Sequence, residues 1–288
     1  MAFIKNMGSI ILLEEKHKQS ICEYFAISPV ENLRLISIIN YMDFSQNKNH
    51  FYAYQENGEW QGAINFDWDI SIVGANKKAI KALAKLALER KPFVPRVTGK
   101  NTTIDIFWET FKTCNKKLLF NRKLIGQILE KNDFDFNGEY LYIQQAEIGQ
   151  LEEITKMAAA MNLEETGIYH LIDESYMDLI KQRIENNNYY ILKEDGIIKF
   201  IIMVSYISPY AVQIDEAYVL PEFRRNNYAT RCIGDLCKFI LEHIAPRVCG
   251  ISHENNIAPI SYLKKLGFKP VLELKSIFLE DKSTEAYY

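Results

Sequence analysis

The sequence predicts an α/β protein, of the mixed α+β kind, that folds as two domains. The chain has 288 residues, which exceeds the usual length of one domain and is enough for two cores. Strand patterns rich in β-branched and aromatic residues alternate with helical patterns in both halves. A polar, turn-rich segment, 131–138, separates the halves. We therefore predict domains at residues 1–138 and 139–288.

Composition excludes several classes of partner. The 34 Lys and Arg residues nearly balance the 37 Asp and Glu residues, and neither sign forms a long block. A nucleic-acid or polybasic membrane surface is therefore not expected. The 5 cysteines are odd in number and lie mostly in apolar periodic segments, as is typical of reduced thiols. Because no apolar run has the length of a signal peptide or a membrane span, we expect a soluble cytoplasmic protein.

The first half contains a hairpin pattern and two helical patterns. Segments 51–54 and 60–66 are strand-like and flank Asn57-Gly58, a pair that readily adopts the positive φ angles of a hairpin turn. Apolar residues recur at helical spacing over 78–90, and again over 104–111 after the break at Thr98-Gly99. This half is predicted to be an α/β domain.

The second half predicts the element order βααβββαβαβ. The helix that begins at Tyr228 is the clearest in the chain, because its apolar residues follow helical spacing as far as Ile244. Strand patterns are predicted from β-branched and aromatic content. The predicted elements are a strand at 140–143, helices at 151–161 and 175–185, strands at 189–192, 197–206 and 211–219, the helix from Tyr228, a strand at 248–251, a helix at 258–266 and a last strand from Phe268.

The most informative segment, 219–229, leads from a strand through a basic turn into this long helix. The first N–H groups of a helix have no internal partners and lie at the positive end of its dipole, so such a turn can cradle a pyrophosphate. Arg224 and Arg225 add positive charge beside it. Taken alone, the pattern also fits a solvated loop.

Two motifs in order resemble the GNAT superfamily of acetyltransferases. Val219-x-Pro221-Glu222-x-Arg224 followed by Asn227-x-Ala229 is similar to its acetyl-CoA pyrophosphate loop. Asn256 and Leu266-Gly267-Phe268 are similar to the helix and strand that follow it. The arrangement of segments 164–167, 175–185 and 200–219 looks like that of bacterial tandem GNAT proteins with a degenerate N-terminal GNAT-like half. No Pro-Glu-x-Arg-type loop follows a strand in the first half, so that half is not expected to bind acetyl-CoA.

The resemblance implies a fold and a set of acetyl-CoA-binding residues. Each domain would be a mixed, mostly antiparallel twisted sheet flanked by helices, and the central strands of the C-terminal domain would splay apart. Acetyl-CoA would be the co-substrate, and a backbone N–H near Val219 would bind the thioester oxygen. Asn227 stands where the family usually has glycine, and Asn tolerates left-handed geometry best among the other residues. The implied binding residues are Tyr218, Val219, Arg224, Arg225, Asn226, Asn227, Tyr228, Ala229, Thr230 and Asn256.

Candidate catalytic residues follow from the same resemblance. Asp215 and Glu216 precede the loop and could act as general base; being adjacent in a strand, they should face opposite sides, so only one should line a cleft. Either could equally be a solvated strand residue. The family's general-acid tyrosine lies five residues before the Phe of Gly-Phe, where this chain has Leu263. Tyr262 lies one residue earlier, about 100° around the helix.

Three explanations for Tyr262 stay open: it points elsewhere, the helix shifts in register, or solvent protonates the thiolate. Glu164 and Glu165 would lie where GNAT acceptors enter and would contact the substrate, or they form a charge pair at a helix end. No metal is expected, because Cys232 and Cys237 lie in the apolar stripe of the long helix and suit core packing.

The predicted function is an acetyl-CoA-dependent N-acetyltransferase that moves the acetyl group directly to an amine of an unidentified acceptor, either a small molecule or a protein. No cysteine motif indicates a covalent enzyme intermediate. A non-catalytic acyl-CoA-binding or regulatory module is the alternative, supported by Asn227 and Leu263 at their positions. A degenerate protein that only mediates assembly is a third possibility.

Overall fold

The computed structural model describes residues 8–46, 50–67, 69–90, 96–114, 116–136, 138–167 and 171–280. They form two compact units. Unit 1 contains the described residues as far as Ile125 together with those from Leu272 onward, and unit 2 is Gly126–Val271. These bounds differ from the boundary that the sequence predicts near residue 138, because the chain enters unit 2 earlier and its last strand returns to unit 1.

Unit 1 is built on a mixed, mostly antiparallel sheet. Its strand order is β1-β2-β3-β4-β5-β12, in which only β4 and β5 pair in parallel. The elements in chain order are β1 (Ser9–Leu12), α1 (Lys18–Ala26), α2 (Leu33–Tyr41), β2 (Phe51–Glu56), β3 (Glu59–Phe66), β4 (Ile70–Gly74), α3 (Lys77–Arg90), β5 (Arg96–Lys100), α4 (Asn101–Phe111) and β6 (Lys117–Glu130), with β12 (Lys269–Glu280) from the end of the chain.

Unit 1 contains the predicted hairpin, and helices pack on both faces of its sheet. Asn57 and Gly58 have φ angles of 55° and 82°, so the predicted hairpin turn between β2 and β3 is confirmed. The helices cover both faces of the sheet: α1 and α2 pack on one side around Phe25 and Phe51, whereas α3 and α4 pack on the other around Phe107.

Unit 2 has the sheet order β6-β11-β10-β9-β8-β7. Strands β7 to β10 are antiparallel neighbours, and β10 and β11 pair in parallel. The predicted order βααβββαβαβ is confirmed, and unit 1 follows the same order from β1 to β6. The elements are β7 (Gln144–Gln145), α5 (Leu151–Thr166), α6 (Glu174–Glu185), β8 (Tyr189–Glu194), β9 (Ile197–Ile207), β10 (Val212–Val219), α7 (Tyr228–His243), β11 (Arg247–His253) and α8 (Ile257–Lys265), followed by β12.

The first predicted strand of the second half is wrong in position. Residues 140–143 form no strand, and the short β7 follows them and pairs with β8. Leu141 and Ile143 nevertheless pack against the core of unit 2. Their alternating apolar pattern therefore reflects burial of side chains, not pairing of backbone groups.

The central strands of unit 2 splay apart as the resemblance implied. Strands β10 and β11 pair from Val212 and Val248 to Ile214 and Gly250, although both strands continue beyond that point. The apolar face of α7 fills the core on one side of this sheet, where Cys232 and Cys237 are fully buried. No helix in the described part of the chain is long and apolar enough to cross a bilayer.

Candidate active site

A cavity of about 660 Å³ opens in unit 2 where β10 and β11 separate. Its walls come from α5, β10, the loop before α7, the first turn of α7, β11 and α8. Most predicted site residues line it: Glu164, Glu165, Asp215, Glu216, Tyr218, Val219, Arg224, Arg225, Asn227, Tyr228, Ala229, Thr230, Asn256 and Tyr262. Asn226 does not line it, and its amide reaches back to the Phe223 carbonyl at 3.5 Å.

The loop before α7 is shaped like an anion cradle. Arg225 and Asn227 have left-handed φ angles of 65° and 59°, and such turns direct successive N–H groups into a concave nest. Asn227 is the N-cap of α7 but makes no side-chain capping bond. The first residues of the helix, Tyr228, Ala229 and Thr230, line the cavity, and the positive end of the helix dipole lies at this end of α7.

The corresponding helix of unit 1 is built differently. Strand β4 is joined to α3 by Ala75 and Asn76 alone, and the Asn76 side chain accepts a hydrogen bond from the Ala79 N–H at 2.9 Å. A capped helix start after so short a connection has no room for a phosphate-binding turn. The start of α3 therefore differs from the start of α7.

The two arginines of the loop have different surroundings. Arg224 donates to both carboxylate oxygens of Glu164 at 2.9 Å and to the Val219 carbonyl at 3.0 Å, and it lies 5.0 Å over the Tyr218 ring. Tyr218 also donates to Glu164 at 3.1 Å. Glu164 is therefore engaged by the loop itself. Arg225 is exposed beside the cradle.

Glu216 occupies a β-bulge. The register of β10 against β9 shifts between Asp215 and Tyr218, and Glu216 has a φ of 54°. Its carboxylate accepts from the Arg183 guanidinium at 2.8 Å and from the Tyr189 hydroxyl. Although burial opposes the charge, Glu216 raises the pKa of Arg183. Burial and the same carboxylate raise the pKa of Tyr189.

The bulge overturns one expectation from the sequence. Strict alternation would send Asp215 and Glu216 to opposite faces, yet both line the cavity. An inserted residue changes the direction of the side chains that follow it. Asp215 accepts from the Gln213 amide at 2.7 Å and from the Ser205 hydroxyl at 2.5 Å, so two neutral donors orient it.

Helix α8 contributes both Tyr262 and Leu263 to the lining of the cavity, and both also pack in the core of unit 2. Leu263 is buried and packs beside Gly250, where a Cβ atom would lie 2.8 Å from it. Tyr262 lines the cavity, and burial followed by the negative charges of Glu165 and Asp215 raises its pKa. Because Tyr262 lines the cavity, the explanation that it points elsewhere is not supported, and a shifted helix register and protonation by solvent stay as the alternatives.

Several residues that shape the site carried no usable signal in the sequence. Arg183, Tyr189 and Ser205 contact β10 from other elements, and Gln213 contacts Asp215 within β10, so nothing in their local patterns marks them. Ser252 lies just beyond the predicted strand 248–251, and it is a buried residue that lines the cavity. A polar residue at an inward position of a strand was the only signal that could have identified it.

No family model matches the chain, and no curated protein matches its sequence. Solved structures match it in fold. An acetyltransferase of the GNAT family from Colwellia psychrerythraea is 14% identical, with 95% of this chain and 100% of that chain covered and a TM-score of 0.57.

A GCN5-related N-acetyltransferase from Sphaerobacter thermophilus is 11% identical, with 94% of each chain covered and a TM-score of 0.61. A tandem GNAT protein from the clavulanic acid biosynthesis pathway is also 11% identical, with 95% of this chain and 98% of that chain covered and a TM-score of 0.57. At these identities the likeness is one of fold.

Proposed function

We propose that this chain, which has the fold of the GNAT acetyltransferases, is an acetyl-CoA-dependent N-acetyltransferase whose catalytic site lies in unit 2. The observation that carries the proposal is the uncapped start of α7, with left-handed Asn227, opening into the cavity between β10 and β11. The same surface suits a pyrophosphate group followed by an extended arm that enters the gap. The five free cysteines suit a reducing compartment, so we place the activity in the cytoplasm.

The proposed reaction transfers the acetyl group in one direct step. The acceptor amine attacks the thioester carbonyl, a C–N bond forms and the C–S bond breaks, so the products are an amide and the CoA thiol. Asp215 takes the proton that the amine loses, directly or through water. Tyr262 gives its proton to the departing thiolate. Asp215 then releases its proton to solvent, and Tyr262 regains one from solvent.

A backbone donor supports the carbonyl oxygen in this proposal. The Leu220 N–H donates to the Lys199 carbonyl on β9. Backbone groups alternate in direction along a strand, so the Val219 N–H faces the opposite edge, where the pairing of β10 with β11 has already ended. A donor at that position can stabilise the negative charge that develops on the oxygen.

Glu216 has a structural role in this proposal. One of its carboxylate oxygens accepts from Arg183 and the other from Tyr189. We therefore assign Asp215 as the base and Glu216 as the anchor of the bulge. The acceptor enters on the α5 side, past Glu164 and Glu165.

Replacement of Tyr262 tests the proposed acid. Tyr262→Phe is expected to lower kcat by about 10- to 100-fold, because the thiolate can still leave without help, while the Kd for acetyl-CoA stays within about twofold. The raised pKa of Tyr262 keeps the phenol protonated up to its ordinary value of 10.0 and beyond. The parent protein should therefore show no alkaline loss of kcat from this group below that pH.

The control for Tyr262 is Tyr142→Phe, which removes a hydroxyl from an 81% exposed side chain and should leave kcat unchanged. Equal kcat values for Tyr262→Phe and the parent would contradict the role of Tyr262 as acid.

Replacement of Asp215 tests the proposed base. Asp215→Asn is expected to lower kcat/KM for the acceptor by about 100-fold, because the amide cannot take a proton. The loss should shrink as the pH approaches the pKa of the acceptor, since more amine then arrives already deprotonated. Asp178→Asn, an exposed change on α6, is the matched control. A loss of the same size at every pH would argue against a base.

The proposed function itself is tested by two measurements on the purified protein. Calorimetric titration with acetyl-CoA gives the affinity, and release of free CoA thiol is followed during incubation with a panel of primary amines and a lysine peptide. Micromolar binding with amine-dependent thiol release supports the enzyme. Binding without turnover on any amine would favour the acyl-CoA-binding module, and no binding would refute both functions.

A further inference from the structure

Ser252 is a buried hydroxyl group at the wall of the cavity. It lies on β11, is 3% exposed and lines the cavity. Among the described residues, no group forms a hydrogen bond with its Oγ atom. A buried polar group without a partner is destabilising, so a hydroxyl kept in this place indicates a partner that the protein binds.

The position of Ser252 in β11 tells which side of the sheet it serves. Gly250 is the last residue of β11 paired with β10. A Cβ atom at Gly250 would meet the Leu263 side chain of α8, so this face of β11 is turned toward α8. Residues two apart in a strand share a face, so Ser252 also faces α8. Val212 and Ile214 of β10 belong to the core beneath α7. Asp215 lies on the opposite face of the sheet, where it accepts hydrogen bonds from Gln213 and Ser205.

The face that carries Ser252 is also the face on which the cradle at the start of α7 lies. A molecule that places its pyrophosphate on this cradle and its thioester in the gap must cross the wall that contains Ser252. In CoA this intervening part is the pantetheine arm, which is uncharged and carries two amide groups. A serine hydroxyl can donate to an amide carbonyl or accept from an amide N–H.

We propose that Ser252 binds an amide group of the pantetheine arm and so fixes how deeply the thioester enters between β10 and β11. This inference rests on the proposed function. Ser252 is then a binding residue for the pantetheine arm, and it is separate both from the phosphate cradle and from the side on which the acceptor enters.

The test compares the whole donor with its nucleotide half. Ser252→Ala should raise the Kd for acetyl-CoA by about 10-fold, the usual effect of one lost hydrogen bond between neutral groups. It should leave the Kd for adenosine 3′-phosphate 5′-diphosphate unchanged, because this probe contains the phosphates and no arm. Ser252→Thr, which keeps the hydroxyl, should recover part of the affinity.

The matched control is Ser9→Ala, at an exposed serine of β1 outside the residues that line the cavity, which should bind both probes as the parent does. Thermal melting verifies that each variant is folded. Unchanged acetyl-CoA affinity in Ser252→Ala would overturn this inference and leave the proposed function intact. An equal loss for both probes would also overturn it, and a parent protein that binds neither would overturn the proposed function as well.

Discussion

Arg225→Glu is expected to weaken the binding of acetyl-CoA by about 100-fold. Arg225 is exposed beside the cradle, so its charge is available to a phosphate. Hydrogen bonds between charged groups contribute about 1.5–3 kcal/mol, and reversal of the charge adds repulsion from the bound anion. Calorimetric titration measures the change, which should diminish as the salt concentration rises.

The control for Arg225 is Lys193→Glu, which makes the same change of charge at an exposed residue of β8. It should bind acetyl-CoA as the parent does, since it lies outside the residues that line the cavity. If both variants lose affinity equally, the effect comes from the net charge of the protein. If neither does, the loop before α7 is not the phosphate site.

Arg183→Met is expected to lower the free energy of unfolding by about 3 kcal/mol, the usual cost of leaving a buried charge without its partner. Arg183 is the cation that neutralises Glu216, whose side chain is 16% exposed. Chemical denaturation followed by circular dichroism measures the change. Loss of the ion pair should also release the bulge in β10, so acetyl-CoA affinity should fall in the fraction that stays folded.

Two further variants isolate the charge of Glu216. Arg183→Met combined with Glu216→Gln should recover most of the lost stability, because no unpaired charge stays buried. Lys181→Met, on the same helix and in an exposed pair with Glu185, should cost less than about 0.5 kcal/mol. If Arg183→Met alone is as stable as the parent, the hydrogen bond from Tyr189 is sufficient to stabilise the Glu216 carboxylate.

The elements with strong local signals could be predicted from the sequence. Helix α7 has a sustained apolar stripe, and Asn57-Gly58 has the chemistry of one turn type. Strands β5 and β6 could not be predicted in this way: β5 is short and contains Gly99, and β6 carries exposed polar residues along its first half. Their pairing depends on partners far away in the chain, which a local pattern does not contain.

The candidate site shows the same division. The proposed phosphate cradle is local, so its residues could be identified from one continuous segment. The bulge at Glu216 depends on Arg183 and Tyr189, and the buried state of Ser252 depends on how β11 packs. The sequence could therefore name Asp215 and Glu216 as alternatives, whereas distinguishing them required the contacts made by other elements.

The last strand of the chain belongs largely to unit 1, and this constrains how the chain can fold during synthesis. Strand β12 pairs with β5, so the sheet of unit 1 has an open edge until residues 272–280 have left the ribosome. An unpaired edge is a site for association with other chains, and contacts this distant in sequence form slowly. The N-terminal half made alone should therefore aggregate, and supplying the β12 segment as a peptide should suppress that aggregation.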